Sequence, residues 1–128
     1  MSLKIEGIEI QMGVILDDYS KEVRRAVNNA QDKIAKEAVS KLKNTSPKKT
    51  GKYAKGWAVK RKKGSGGIVD VTVYNKNKPQ ITHLLENGHR VDNGKGEYGR
   101  FNGIKHIAPV VDWANDELPR EIERELET

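Results

Sequence analysis

Between Val23 and Leu42, the apolar residues Val23, Val27, Ala30, Ile34, Ala38 and Leu42 recur at spacings of three and four. That period lays one apolar stripe along one side of a long helix. A helix with a single stripe draws most of its stability from whatever covers the stripe, so the chain must supply a second layer. Asp17, Asp18 or Ser20 can cap the helix start near residue 18. The helix should end near Asn44, because Pro47 disfavours helical backbone at Ser46.

The second layer is legible downstream. Val69, Val71 and Val73 alternate with Asp70, Thr72 and Tyr74, the period of a half-buried strand over Ile68–Asn75. A preceding strand over Ala54–Lys63 would place Trp57 and Val59 on the same face. Gly64-Ser65-Gly66-Gly67 supplies the hairpin turn. A short helix fits Pro79–Asn87, stopped by Gly88. Residues 89–105 are glycine-rich with no apolar period and read as a long surface loop. Ile107, Val111, Ala114, Leu118, Ile122 and Leu126 mark a last helix from about Ala108, which Pro119 should kink or split. Leu3, Ile5, Ile8 and Ile10 make the first 17 residues an N-terminal arm or strand. The predicted class is α+β in one domain, residues 1–128: a small antiparallel sheet packed against a long N-terminal helix and a C-terminal helix. The turn 45–53 and the loop 89–105 should be mobile.

Charge is spread unevenly. Lys41 to Lys63 holds ten Lys or Arg and no acid, whereas Asp112 to Thr128 holds seven acids and two Arg. The basic run suits either a solvated loop and hairpin or a nucleic-acid surface. Lys48, Lys49, Lys52 and Lys55 interleave with Tyr53 and Trp57, as rings and cations do where bases stack. Opposite charge at the two ends also lets copies of the chain meet head to tail.

Few catalytic or metal patterns survive inspection. The chain has no cysteine, which removes disulfides, thiolate catalysis and cysteine-based zinc sites. His83-Leu84-Leu85-Glu86-Asn87-Gly88-His89 matches neither helical zinc spacing, and His89 lies beyond Gly88. A simpler reading has Glu86 bonding to His83 or capping a backbone amide. The glycine turn at 64–67 lacks the Lys-Ser/Thr of a phosphate loop. No stretch approaches the ~20 apolar residues of a membrane helix, and the N-terminus lacks a signal-peptide core. No cofactor is implied.

Three segments together resemble one family. Thr45-Ser46-Pro47-Lys48-Lys49-Thr50-Gly51-Lys52-Tyr53 is similar to its small residue–Pro–Thr–Gly element, His83 to His89 to its Glu–Gly element, and Ile107 to Ala114 to the start of its last helix. The family is the tail-completion and head–tail joining proteins of long-tailed bacteriophages and prophages. The resemblance implies a non-catalytic virion part, made in the host bacterial cytoplasm, that completes the tail tube at the tail–head junction. It implies a hexameric ring touching the tail-tube protein and the head connector or stopper, with a monomer possible in isolation and nucleic-acid contact incidental. Pro47, Thr50, Gly51, Glu86, Gly88 and Pro109 are then structural, and Lys48, Lys49, Lys52, Lys55, Glu121, Glu123 and Glu125 are a possible assembly surface. The alternative is a small basic nucleic-acid-binding or ribonuclease-type protein with His83, Glu86 and His106 as acid–base groups.

Overall fold

The computed structural model describes residues 2–5, 8–11, 21–47, 51–79, 82–92 and 97–127. Two N-terminal strands, β1 (Ser2–Ile5) and β2 (Ile8–Gln11), precede the long helix α1 (Lys21–Thr45). A one-turn helix α2 (Lys52–Lys55) leads into β3 (Trp57–Lys63), and a 3-10 turn at Ser65–Gly67 connects it to β4 (Val69–Asn75). A short helix α3 (Thr82–Asn87), strands β5 (His89–Asp92) and β6 (Glu97–Phe101), and α4 (Ile107–Leu126) complete the order.

The α+β class and the helix–hairpin–helix plan are as expected, but the sheet is larger and mixed. Its strand order is β2-β1-β4-β3. The β3–β4 hairpin is antiparallel, with Val59 opposite Val73 and Lys63 opposite Val69. β1 runs parallel to β4, placing Leu3 beside Val71 and Ile5 beside Val73, and pairs antiparallel with β2. The apolar alternation at 3, 5, 8 and 10 therefore extends the valine-rich register of β4.

α1 covers β3 and β4 and packs along α4. Its buried line is Ala26, Val27, Ala30, Gln31, Ile34, Ala35, Ala38 and Leu42. Its four alanines let the neighbouring backbones approach. Ala30, Ile34, Ala35, Ala38 and Leu42 of this line join Trp57, Val71, Val73, Ile107, Val110, Ala114 and Leu118 in one core. Side-chain amides from α1 also hold the sheet. Asn28 Nδ2 donates to the Gly67 carbonyl at 3.0 Å, while its Oδ1 accepts from Val69 N at 2.9 Å. Gln31 Nε2 donates to the Val69 carbonyl at 3.0 Å. The turn before β4 is thus pinned to the helix.

Several boundaries differ from the sequence reading. The first strand begins at Trp57 rather than Ala54. Gly51 turns the chain with φ 79°, and Lys55 N then donates to the Gly51 carbonyl at 3.0 Å, closing one helical turn that buries Tyr53 and Ala54. The expected short helix is helical over Thr82–Asn87; residues 80 and 81 of that expectation lie outside the described residues. Within 89–105, where a loop was expected, β5 and β6 form a separate two-stranded ribbon with a register shift at Val91/Asp92. α4 runs unbroken through Pro119, so the expected split does not occur. Pro119 is solvent-exposed, which leaves the Asn115 carbonyl it cannot serve open to water. The caps considered at Asp17, Asp18 and Ser20 lie outside the described residues, as do Lys48, Lys49 and Thr50.

Candidate functional site

The three segments that carry the family resemblance converge at one buried polar cluster. α3 ends at Asn87, and Gly88 follows it with φ 82° and donates N–H to the Leu84 carbonyl at 2.8 Å. The chain returns at 103–106 across this helix end, and Ile104 N donates to the Leu85 carbonyl at 2.8 Å. The approach is close. A Cβ on Gly103, itself at φ 81°, would sit 2.6 Å from Gly88 N and 2.8 Å from the Glu86 carbonyl oxygen.

That crossing aims Glu86 at the start of α4. Its Oε1 accepts from His106 N at 2.7 Å and Ile107 N at 2.8 Å, and its Oε2 accepts from Ala108 N at 3.0 Å. The next residue, Pro109, has no N–H. One carboxylate and one proline therefore account for the amides that a helix N-terminus leaves without intrahelical partners. The N-cap residue is His106, whose own side chain makes no cap bond. Glu86 supplies that function from another helix, with the sign that suits the positive end of the helix dipole. Burial by itself pushes the Glu86 carboxyl up, but the three amides and His106 outweigh it, so the group lies below the ordinary carboxylate range.

His106 extends the cluster. Its Nδ1 lies 2.6 Å from the Ile104 carbonyl and 3.0 Å from Glu86 Oε1. Both are acceptors, which assigns the proton to Nδ1. Nε2 then accepts from the Tyr53 hydroxyl at 2.7 Å. Burial pushes the Tyr53 phenol up to about 12; a hydrogen bond with Thr82 opposes this, and the Glu86 charge adds to it. Tyr53 is thus a donor at any ordinary pH. Trp57 stacks edge-on to Tyr53 with ring centroids 5.6 Å apart and donates Nε1–H to Ser46 Oγ at 2.7 Å. Asn75 Nδ2 donates to the Tyr53 carbonyl at 2.6 Å, and its Oδ1 accepts from Asn77 N and Lys78 N. Gly56 fits against this amide, where a Cβ would meet Asn75 Oδ1 at 2.5 Å.

The arrangement suits holding segments together rather than turning over a substrate. Glu86, His106 and Tyr53 are 2, 1 and 6% exposed. A general base needs a reachable lone pair, and the carboxylate is engaged by three amides and an imidazole. The structure brings Glu86 and His106 together but leaves His83 exposed on α3. The acid–base trio of the alternative reading is therefore not assembled. Of the local roles considered for Glu86, amide capping is the one found, and its partners lie 20 to 22 residues away. Among the described residues, no group of three or more His, Cys, Asp or Glu is placed to hold a metal, and no helix is long and apolar enough to cross a membrane.

The expected assembly surface divides. Lys52 and Lys55 are exposed beside the buried Tyr53, and Glu123 is exposed on α4. Glu121 and Glu125 are not on a free face. Lys33 Nζ bonds Glu121 Oε1 at 3.0 Å and Glu125 Oε1 at 2.7 Å, and Arg25 reaches the Glu125 carbonyl at 3.1 Å. The contact line of α4 with α1 runs through Ala114 and Leu118 to these two acids, leaving Leu126 40% exposed.

Comparison with known families places the chain beside one of phage proteins. The model of the HK97-gp10-like family, described as "Bacteriophage HK97-gp10, putative tail-component", matches residues 11–88. That span holds α1, the β3–β4 hairpin and α3 with Glu86, and it ends at Gly88. No curated protein and no solved structure matches the chain.

Proposed function

Because the chain belongs to the HK97-gp10-like family of bacteriophage tail components, we propose that it is a non-catalytic virion protein that completes the tail tube and joins it to the head. The observation that carries this reading is the capped carboxylate. The most buried acid–base pair in the described structure, Glu86 and His106, is spent on fixing the start of α4. Residues that an enzyme would expose are here used to lock three chain segments into one rigid unit. Such a unit suits a part whose task is to present fixed surfaces to its neighbours.

In this reading the protein sits at the tail–head junction as a hexameric ring between the tail-tube protein and the head connector or stopper. Charge supports the contact between neighbouring copies: the basic stretch 41–63, with Lys48, Lys49, Lys52 and Lys55, faces the acid-rich stretch 112–128. A contact between two different patches closes into a ring when the rotation per subunit allows it.

The test is tail completion in a phage extract lacking this protein. Adding the purified chain should restore joining of tails to heads, and micrographs should show added density at the head-proximal end. Unjoined tails with no added density would refute the reading. So would nuclease activity that disappears in His83→Ala.

A further inference from the structure

Beside the buried cluster lies a cavity of about 270 Å³ between the end of α1 and the start of α4. Pro109, Val110 and Trp113 form its apolar wall, and Lys41 and Lys105 stand at its edge. Lys41 Nζ lies 4.7 Å from the Trp113 ring centroid, and Lys105 Nζ donates to Asn87 Oδ1 at 2.7 Å. This volume is below the ~300–1,000 Å³ of small-molecule pockets and suits one or two side chains. Both cations are exposed, and no acid among the described residues lines the cavity.

The opposite end of α4 has the complementary shape and charge. Leu126 is 40% exposed, one of two large apolar side chains so placed among the described residues. Glu123 and Glu127 flank it and are also exposed. The two acids beside Leu126 are opposite in sign to the two lysines at the cavity edge, so the two surfaces are complementary in charge as well as in apolar character. Within one chain the two features cannot meet, since Pro109 and Leu126 are about 25 Å apart along the helix at 1.5 Å per residue.

We propose that Leu126 of one copy seats in the Pro109–Val110–Trp113 cavity of the next, with Glu123 and Glu127 against Lys41 and Lys105. The contact joins two different patches, so repeating it builds a ring or a filament and not a closed dimer. It rests on the ring reading above and names the surface that forms the ring. It also explains why α4 leaves a leucine uncovered while its acids at 121 and 125 are turned inward to Lys33.

The natural chain has no cysteine, so a double variant Thr45→Cys/Leu126→Cys carries the sole thiols. Thr45 lines the same cavity as Pro109, too far from Leu126 of its own chain for a disulfide, which requires Cα atoms within about 7 Å. Tails completed with this variant and then oxidised should give a ladder of covalent oligomers, and each single variant should give no ladder. Lys105→Glu should lower joining at least tenfold, and adding Glu127→Lys should recover most of the loss. Ring density on the tails without a ladder, or without charge-swap recovery, overturns the seating of Leu126 and leaves the ring reading standing. Absence of ring density with the wild-type chain overturns the ring reading and this proposal with it.

Discussion

The two ends of α4 are held by opposite means. At its start, one buried carboxylate accepts from three backbone amides and touches an imidazole. At its other end, Glu121 and Glu125 pair with Lys33 and Arg25 at the edge of α1, and Glu117 and Glu121 pair with Arg124 of α4 itself; the cations are about half exposed. Both ends look equally well bonded by distance. Their energetics differ. A carboxylate bonded to amides away from water loses a great deal when removed, because three donors are stranded. Ion pairs in water give back most of their attraction as hydration and side-chain entropy. The start of α4 is therefore an anchor, and its end is a trimmed surface.

The sharpest way to break the contrast is Glu86→Ala. It should cost about 3–5 kcal/mol, as breaking a buried charged contact does, read from the urea midpoint at unchanged slope. A loss below about 1 kcal/mol would make the two ends equivalent. Gly103→Ala should follow. Its left-handed backbone carries about 1–3 kcal/mol of strain for a residue with a Cβ, before the contact with Gly88 and Glu86 is counted. Tyr53→Phe strands His106 Nε2 and frees Thr82, for about 1–2 kcal/mol. Lys33→Ala at the far end should have the smallest effect, and its difference from wild type should disappear in 1 M salt, where the Debye length is about 3 Å. The Glu86→Ala loss should persist there.

Acid offers an independent probe of the same contrast. The folded pKa of Glu86 lies below its unfolded value. The unfolded chain therefore binds this proton more readily, and the stabilisation is fully present above the unfolded pKa near 4.3. It is lost as pH falls through the folded value. Glu121 and Glu125 are shifted in the same direction, chiefly by hydrogen bonds to Lys33, but that lysine is 58% exposed, so salt weakens the pairs. Glu86→Gln should flatten the acid limb of the stability curve in 1 M salt, where the contribution of the other two has faded. An unchanged limb would mean that Glu86 is not the dominant carboxylate.

The sequence made the plan of the fold legible where a period was strong. The stripe from Val27 to Leu42 and the valine alternation at 69, 71 and 73 both lie where they were expected. The ribbon at 89–101 escaped because Arg90, Asp92, Gly99 and Arg100 leave no apolar face to alternate. The end of α4 was misread for a related reason. Its apolar residues run 118, 122, 126, whereas its contact line with α1 runs 118, 121, 125, and charged residues on a contact line look like a solvated face. Glu86 stood out in its motif, yet its partners could not be identified. A cap that reaches 20 residues along the chain depends on where Gly103 lets the backbone cross. The three motifs are each structurally ordinary in sequence, and their meeting is a property of the fold alone.

The central claim is that Glu86 joins those motifs by holding the first turn of α4, and native-state hydrogen exchange tests it most directly. In the wild-type chain, the amides of His106, Ile107 and Ala108 should exchange as slowly as those of the α1 core at Ile34 and Ala38, near the free energy of global unfolding. In Glu86→Gln those three should quicken first, ahead of the amides at 121–125. If they exchange in the wild type as fast as the end of α4, or stay unchanged when Glu86 is replaced, the carboxylate is not the anchor and the account is wrong.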